Sequence, residues 1–455
     1  MPSRTTGTSR QRRLLLHDEG RSFSDTVSHV SLPPRNLRGG PLRFATSDSS
    51  ERVTIMSSLR IWTVVACLST WLVLPARSAT VDAFGAITAA IQPFVDRGEI
   101  AGAVMLVADK ERVLHLSATG QSSVASARLM KPDDLFWIAS MSKPITAVAV
   151  AVLVDEGKMS FDDPVEKFLP EFREQWVAQE QSAGSRVLVK PARAITIRDL
   201  LTHVSGVGEY TVTDPHWTLS EMTKIIAREP LRFQPGTRWG YSTAGTDVLG
   251  RVVEVLSGTP FPDFMRQRLF QPLGMKDTTF WPTREQEKRL AQDYRLNAET
   301  GKLEENIISY LYGGAITDRR RAPLGGAGLF STAPDVAKFY QMMLNEGLWN
   351  GRRILKAETV AELTDKQTGN LKTRPGMPWG LGFCVIEDPG TMDANASFTA
   401  GTFGHGGAHG TNSWADPVRD LVYVFMIQRD GLKPNPDDSP MRRAYQQAVA
   451  AALAK

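Results

Sequence analysis

Cysteine is nearly absent: the 455 residues hold two, Cys67 and Cys384. Cys67 falls in a segment expected to be removed, which leaves Cys384 alone. The mature chain then has neither an internal disulfide nor a cysteine-based zinc site. No His-x-His-x-Asp run occurs, so a metal centre of that type has no ligands. Gly-x-Ser-x-Gly is missing as well; Gly240-Tyr-Ser-Thr-Ala244 comes nearest and argues against the nucleophile elbow of α/β-hydrolases. An excess of charge is also lacking where it would matter. The formal net charge is +4, but residues 1–55 contribute +4 and residues 56–79 a further +2, leaving −2 from Thr80 onward. A folded part this close to neutral gives no case for nucleic-acid binding. Nor is there an apolar run of membrane-spanning length. The longest candidate, Ile61 to Leu74, has about 14 residues where a span needs about 20.

What is present is the composition of an ordinary folded protein, 42% hydrophobic and 22% charged. Residues 1–55, rich in Arg, Ser, Thr and Gly, show no apolar periodicity and read as a disordered or non-native extension. Residues 56–79 read as a signal peptide. Met56-Ser-Ser-Leu-Arg60 is a basic start, the run from Ile61 is the apolar centre, and Ala76 and Ser78 are the small residues before the cleavage point. The mature protein is therefore expected to be exported, to begin near Ala79, and to keep no stable membrane insertion.

Residues 80–455 read as one catalytic domain. Residues 82–96 suit an amphipathic helix, and 103–108 with 113–118 a β-hairpin. Helical patterns dominate the middle, with a helical subdomain at about 146–310. A helix is expected at about 334–346, strands at 381–386, 412–415 and 421–428, and a last helix at about 440–454. Strands at both ends of the sequence with helices between them imply an α+β fold. Its antiparallel sheet is built from N- and C-terminal segments and flanked by helices, with an all-helical subdomain to one side.

Lysine follows serine at i+3 once, at Ser140-Met-Ser-Lys143. Leu135-Phe-Trp-Ile-Ala139 leads in, and a long apolar helical run from Pro144 to Leu153 follows. Ser140 is thus expected at the start of a buried helix, with Lys143 on the same face one turn on. Burial pushes an ammonium toward its neutral form, which can take a proton from a serine hydroxyl. Backbone N–H groups at the helix start can hold an oxyanion. A serine N-cap followed by a surface lysine would leave the same trace, and these residues alone keep both readings open. Ser142 lies about 200° around the helix from Ser140, and its replacement by alanine is expected to change activity little.

The segment Phe136-Trp-Ile-Ala-Ser-Met-Ser-Lys-Pro-Ile145 resembles the nucleophile motif of the serine β-lactamase-related family, which includes class C β-lactamases, penicillin-binding proteins and family VIII esterases. Similar segments follow in the same order: Thr196-Ile-Arg-Asp-Leu-Leu-Thr-His-Val-Ser-Gly206, Pro235-Gly-Thr-Arg-Trp-Gly-Tyr-Ser242 and Pro272-Leu-Gly-Met-Lys-Asp-Thr278. Gly326-Ala-Gly-Leu-Phe-Ser-Thr332, Trp379-Gly-Leu-Gly382 and Phe403-Gly-His-Gly-Gly407 complete the series. The resemblance covers roughly residues 85–455 and implies that family's fold, with no metal or organic cofactor.

The resemblance also implies roles. Ser140 would be the nucleophile and Lys143 its proton partner. Tyr241, in place of the tyrosine of the Tyr-x-Asn motif, would relay protons as phenolate or phenol, with a pKa lowered by a neighbouring ammonium. Thr243 stands where that motif has asparagine. His405, Gly406 and Gly407 stand where β-lactamases have Lys-Thr-Gly, and the N–H of Ala408 would join that of Ser140 as oxyanion donor. His405 is open to three readings: substrate donor, proton relay or plain strand residue. If protonated below about pH 6.5, it would replace the missing lysine. His203 is expected to pin a loop. His405 and His409 lie four apart in glycine-rich sequence, which does not make a helical metal pair. Losing the motif's cation and hydroxyl favours a small-molecule carboxylic ester over a β-lactam or D-Ala-D-Ala peptide. A penicillin- or peptidoglycan-binding protein that acylates without turnover is the rival from another class.

Overall fold

The computed structural model describes residues 84–182, 185–308 and 314–454. The expected extension at 1–55 and the signal segment at 56–79 lie outside the described residues. The chain opens with α1 (Gly85–Asp96), then β1 (Gly102–Ala108), β2 (Val113–Ser123) and the short β3 (Arg128–Leu129). Further elements frame the site: α2 (Ser142–Asp155), α3 (Thr243–Ser257) and α4 (Ala333–Leu344). The C-terminal part adds β4 (Cys384–Val385), β5 (Phe403–Gly406), β6 (Asn412–Asp416), β7 (Leu421–Met426) and α5 (Pro440–Leu453).

The strands form one seven-stranded sheet in the order β4-β5-β6-β7-β1-β2-β3. Every pairing in it is antiparallel; β1 joins the two ends of the chain, with Val104 opposite Met426 on one side and Ala118 on the other. All seven residues of β1 are buried, because both faces of the sheet are covered. The period of two shows how. Val104 and Leu106 join Val422 and Val424 in a core with Val148 of α2 and Phe339 of α4. Met105 and Val107 join Tyr423 and Phe425 in a second core with Ile91 of α1 and Val449 of α5. Two helical layers thus enclose the sheet.

The expected elements are found with shifted ends. Only β4 departs much, since a strand expected over 381–386 pairs at two residues. Between α2 and α4 most of the regular structure is helix, but long loops separate the helices and the subdomain is not all-helical as expected. It also carries the hairpins Val177–Ser182 with Ser185–Val189 and Tyr294–Leu296 with Leu303–Glu305, which the sequence reading missed. The helix α2 is buried from Ser142 through Leu153, so it belongs to the core rather than to a surface face. Pro144 is tolerated there because the first turn has no intrahelical acceptor for its missing N–H.

Candidate active site

Ser140 lies in a 3₁₀ turn, Ala139–Met141, that runs into α2. The residue before it, Ala139, has φ of 46°, a left-handed conformation that costs a non-glycine residue about 1–3 kcal/mol. Ser142 holds it: its hydroxyl donates to the Ala139 carbonyl at 2.7 Å and accepts the Leu329 N–H at 3.1 Å. Ser142 thereby stitches the turn to the segment that carries Leu329.

Lys143 is 1% exposed, so the surface-lysine reading falls. Its Nζ lies 3.0 Å from Ser140 Oγ, 2.7 Å from the Gly326 carbonyl and 3.4 Å from Thr243 Oγ1. Burial holds the ammonium well below the ordinary lysine range, although Asp247 and Glu209 oppose the shift. A nitrogen so placed can exchange a proton with the serine hydroxyl.

Tyr241 directly precedes Ser242, the N-cap of α3, whose hydroxyl accepts from Gly245 N–H. Lys143 Nζ stands 4.8 Å from the centre of the Tyr241 ring. The lowered phenol pKa expected from the nearby ammonium is not found. Burial raises it, and the nearby Ser140 hydroxyl opposes that only in part. The group is therefore a phenol, a donor rather than a resident anion. His203 does pin this loop: its Nδ1 accepts the Ser242 N–H at 3.3 Å and its carbonyl accepts Gly240 N–H at 2.8 Å.

His405 and Gly406 close β5, and Gly407 follows it. A Cβ on Gly407 would lie 2.7 Å from the Ile138 carbonyl, and one on Gly406 would collide with Asp437 Oδ1. The strand end therefore packs against the turn that carries Ser140, and Ala408 is exposed just beyond it. His405 is buried, with its Nδ1–H donating to the Gly406 carbonyl at 2.6 Å. Burial and Lys143 push its pKa down to about 3. The imidazole is thus neutral, which overturns the expectation that His405 becomes a replacement cation below about pH 6.5. His409 does not approach a metal-type arrangement; its Nδ1 pairs with the buried Asp293 at 2.7 Å.

Four residues at the site were not found from the sequence. Arg374 stands 5.8 Å from the centres of the Tyr241 and Trp379 rings and is paired with Asp437. Glu209 accepts the N–H groups of Thr243 and Ala244 at 2.5 and 3.4 Å, at the start of α3. Asp247 is buried on the same helix. Arg374 and Glu209 sit in loops and Asp437 in a 3₁₀ turn, with no motif to mark them. Asp247 did leave a signal, a carboxylate inside the apolar run Ala244–Val253.

The fold and this Ser-Lys-Tyr arrangement define a serine hydrolase built on the β-lactamase and penicillin-binding-protein scaffold. The chain belongs to the Beta-lactamase family, whose profile matches residues 87–449. It is 32% identical over 357 residues to esterase EstB of Burkholderia gladioli, covering 72% of this chain and 86% of that protein. Over 323 residues it is 32% identical to lovastatin esterase of Penicillium rubens, covering 66% and 78%. The solved structure of EstCE1, described as a hydrolase with promiscuous acyltransferase activity, is similar at 25% identity and a TM-score of 0.67. That match covers 82% of this chain and 99% of the other.

Proposed function

We propose that the protein hydrolyses carboxylic esters through an acyl-enzyme on Ser140. The observation that carries this reading is the 3.0 Å approach of a fully buried Lys143 amine to Ser140 Oγ. In its neutral form Lys143 takes the serine proton as Oγ attacks the ester carbonyl. The N–H groups of Ser140 and Ala408 hold the oxyanion. Tyr241, as a phenol, gives its proton to the leaving alkoxide and recovers one from the Lys143 ammonium; water then attacks the acyl-enzyme, giving up its proton through the same groups to Ser140 Oγ as the acid leaves. No metal or organic cofactor has a part in this scheme.

The third-motif strand favours an ester over a β-lactam. A β-lactam brings a carboxylate that needs a free cation, and a charge-assisted hydrogen bond of that kind contributes about 1.5–3 kcal/mol. His405 is neutral, and the charge of Arg374 is matched by Asp437. The relatives named as esterases point the same way. Export through a signal at 56–79 belongs to the same proposal. Among the described residues no helix is long and apolar enough to cross a membrane.

The test compares p-nitrophenyl butyrate, nitrocefin and a D-Ala-D-Ala peptide on one preparation. Sustained turnover of the butyrate with a higher specificity constant than the other two is the expected result. A nitrocefin constant equal to or above the ester's would overturn the ester reading. A stoichiometric burst without turnover would replace it with a binding protein.

A further inference from the structure

Asp247 lies on α3 one turn beyond Thr243, 1% exposed among fully buried apolar neighbours, Ala244, Val248 and Leu249. Placing a carboxylate there costs several kcal/mol unless its oxygens are used. They are. Oδ1 accepts the Gly326 N–H at 2.9 Å, and Oδ2 accepts the Tyr210 hydroxyl at 3.0 Å. The carbonyl of the same Gly326 accepts from Lys143 Nζ, which in turn reaches Ser140. Gly326 has little freedom to sit elsewhere, because a Cβ on it would lie 2.6 Å from Thr243 Cγ2 and 3.2 Å from Asp247 Oδ1. A continuous chain of contacts therefore runs from Asp247 through one backbone residue to the lysine and the serine.

We propose that Asp247 is a positioning residue for the reaction: it fixes the Gly326 carbonyl that aims Lys143 at Ser140, and its negative charge sets how tightly the lysine holds its proton. The proposal rests on the reading of Lys143 as proton acceptor from Ser140. Other groups also face the lysine. Glu209, at the start of α3, favours the ammonium, and Arg374 opposes it. His203 and His405 are held neutral by burial, and burial likewise keeps the phenol of Tyr241 and the thiol of Cys384 protonated. When ionised, Asp247 has the largest hold on the lysine; burial raises its own pKa to about 7, so that hold is present above that value and fades below it.

An anion nearby stabilises the protonated lysine, and only the neutral lysine can accept the serine proton. Removing the anion must move the rise of activity with pH to lower pH. Asp247→Asn is a suitable change, since its amide oxygen still accepts from Gly326 N–H while the charge is lost. Tyr210→Phe removes a donor from the carboxylate, makes it more basic and weakens its charge. It should move the midpoint in the same direction by less.

The experiment measures the second-order rate of labelling by a fluorophosphonate, and kcat/KM for p-nitrophenyl butyrate, from about pH 5 to 10. The labelling arm does not depend on the natural substrate. The midpoint of the rise is expected to fall by about one pH unit in Asp247→Asn, with KM little changed. An unchanged midpoint in both variants, whatever their loss of rate or melting temperature, would overturn the proposal alone. A wild-type labelling rate that does not rise with pH would overturn the Ser140–Lys143 reading and the proposal with it.

Discussion

The hydroxyl of Ser142 donates to the carbonyl of Ala139, across the residue that carries the candidate nucleophile. The strained turn and the helix that follows it are thereby tied by a single side chain. Replacing Ser142 with alanine leaves the Leu329 N–H unsatisfied in the core, which costs about 1–3 kcal/mol. Ser142→Ala should therefore be less stable to unfolding than wild type by that amount. A variant of unchanged stability, measured by urea unfolding, would contradict the role given to the hydroxyl.

Ser140→Ala should abolish both ester turnover and fluorophosphonate labelling. Lys143→Ala and Tyr241→Phe should each lower kcat by about 10²–10⁴-fold, the usual cost of removing a positioned proton-transfer group. Full labelling of the Ser140→Ala protein would end the assignment.

The pH dependence of the wild type follows from the two groups beside Ser140. Activity rises with pH as Lys143 loses its proton, and burial sets that rise below the usual lysine value of about 10.4. Tyr241 is raised by burial, so its ionisation does not cut activity over the same range. A kcat/KM profile that instead rises through pH 4–5, the carboxylate range at about 4, would point to a different base.

Because His405 stays neutral down to about pH 3, acidification should not restore β-lactam handling. The ratio of nitrocefin to butyrate specificity constants is expected to be the same at about pH 6 and 8. A ratio that climbs at the lower value would show a cation forming at the third-motif strand.

A chain beginning at Thr80 should be fully active, since every site residue lies beyond it. Amino-terminal sequencing of the native exported protein should find a start near Ala79. Finding residues 1–20 there would contradict the signal assignment.

The sheet was legible in the sequence because its strands are short apolar runs bounded by turns, as at Leu421–Met426, and because the two ends of the chain share that pattern. Ser140, Lys143 and Tyr241 were legible because their motifs are local. The state of Tyr241 was not. Its pKa depends on how much burial outweighs one ammonium, which only the packed structure decides. Arg374 and Asp437 were hidden for another reason. They meet across 63 residues, and neither lies in a patterned segment. The missed hairpin at Val177–Val189 has a polar strand, Val177-Ala-Gln-Glu-Gln-Ser182, whose alternation is too weak to register.

Strand β1 has its partners on opposite sides in time as well as in space. Its neighbour β2 is made next, but β7 is synthesised more than 300 residues later, and His405 and Ala408 belong to that same late part of the chain. During synthesis the first half therefore presents a serine and a lysine without the strand end that packs against their turn. His405 and Ala408 reach the Ser140–Lys143 pair only once the C-terminal segment has closed the sheet. A nick that removes residues after α4 would leave the Ser140–Lys143 pair intact in sequence but silent, so the last quarter of the chain acts as a built-in licence for activity.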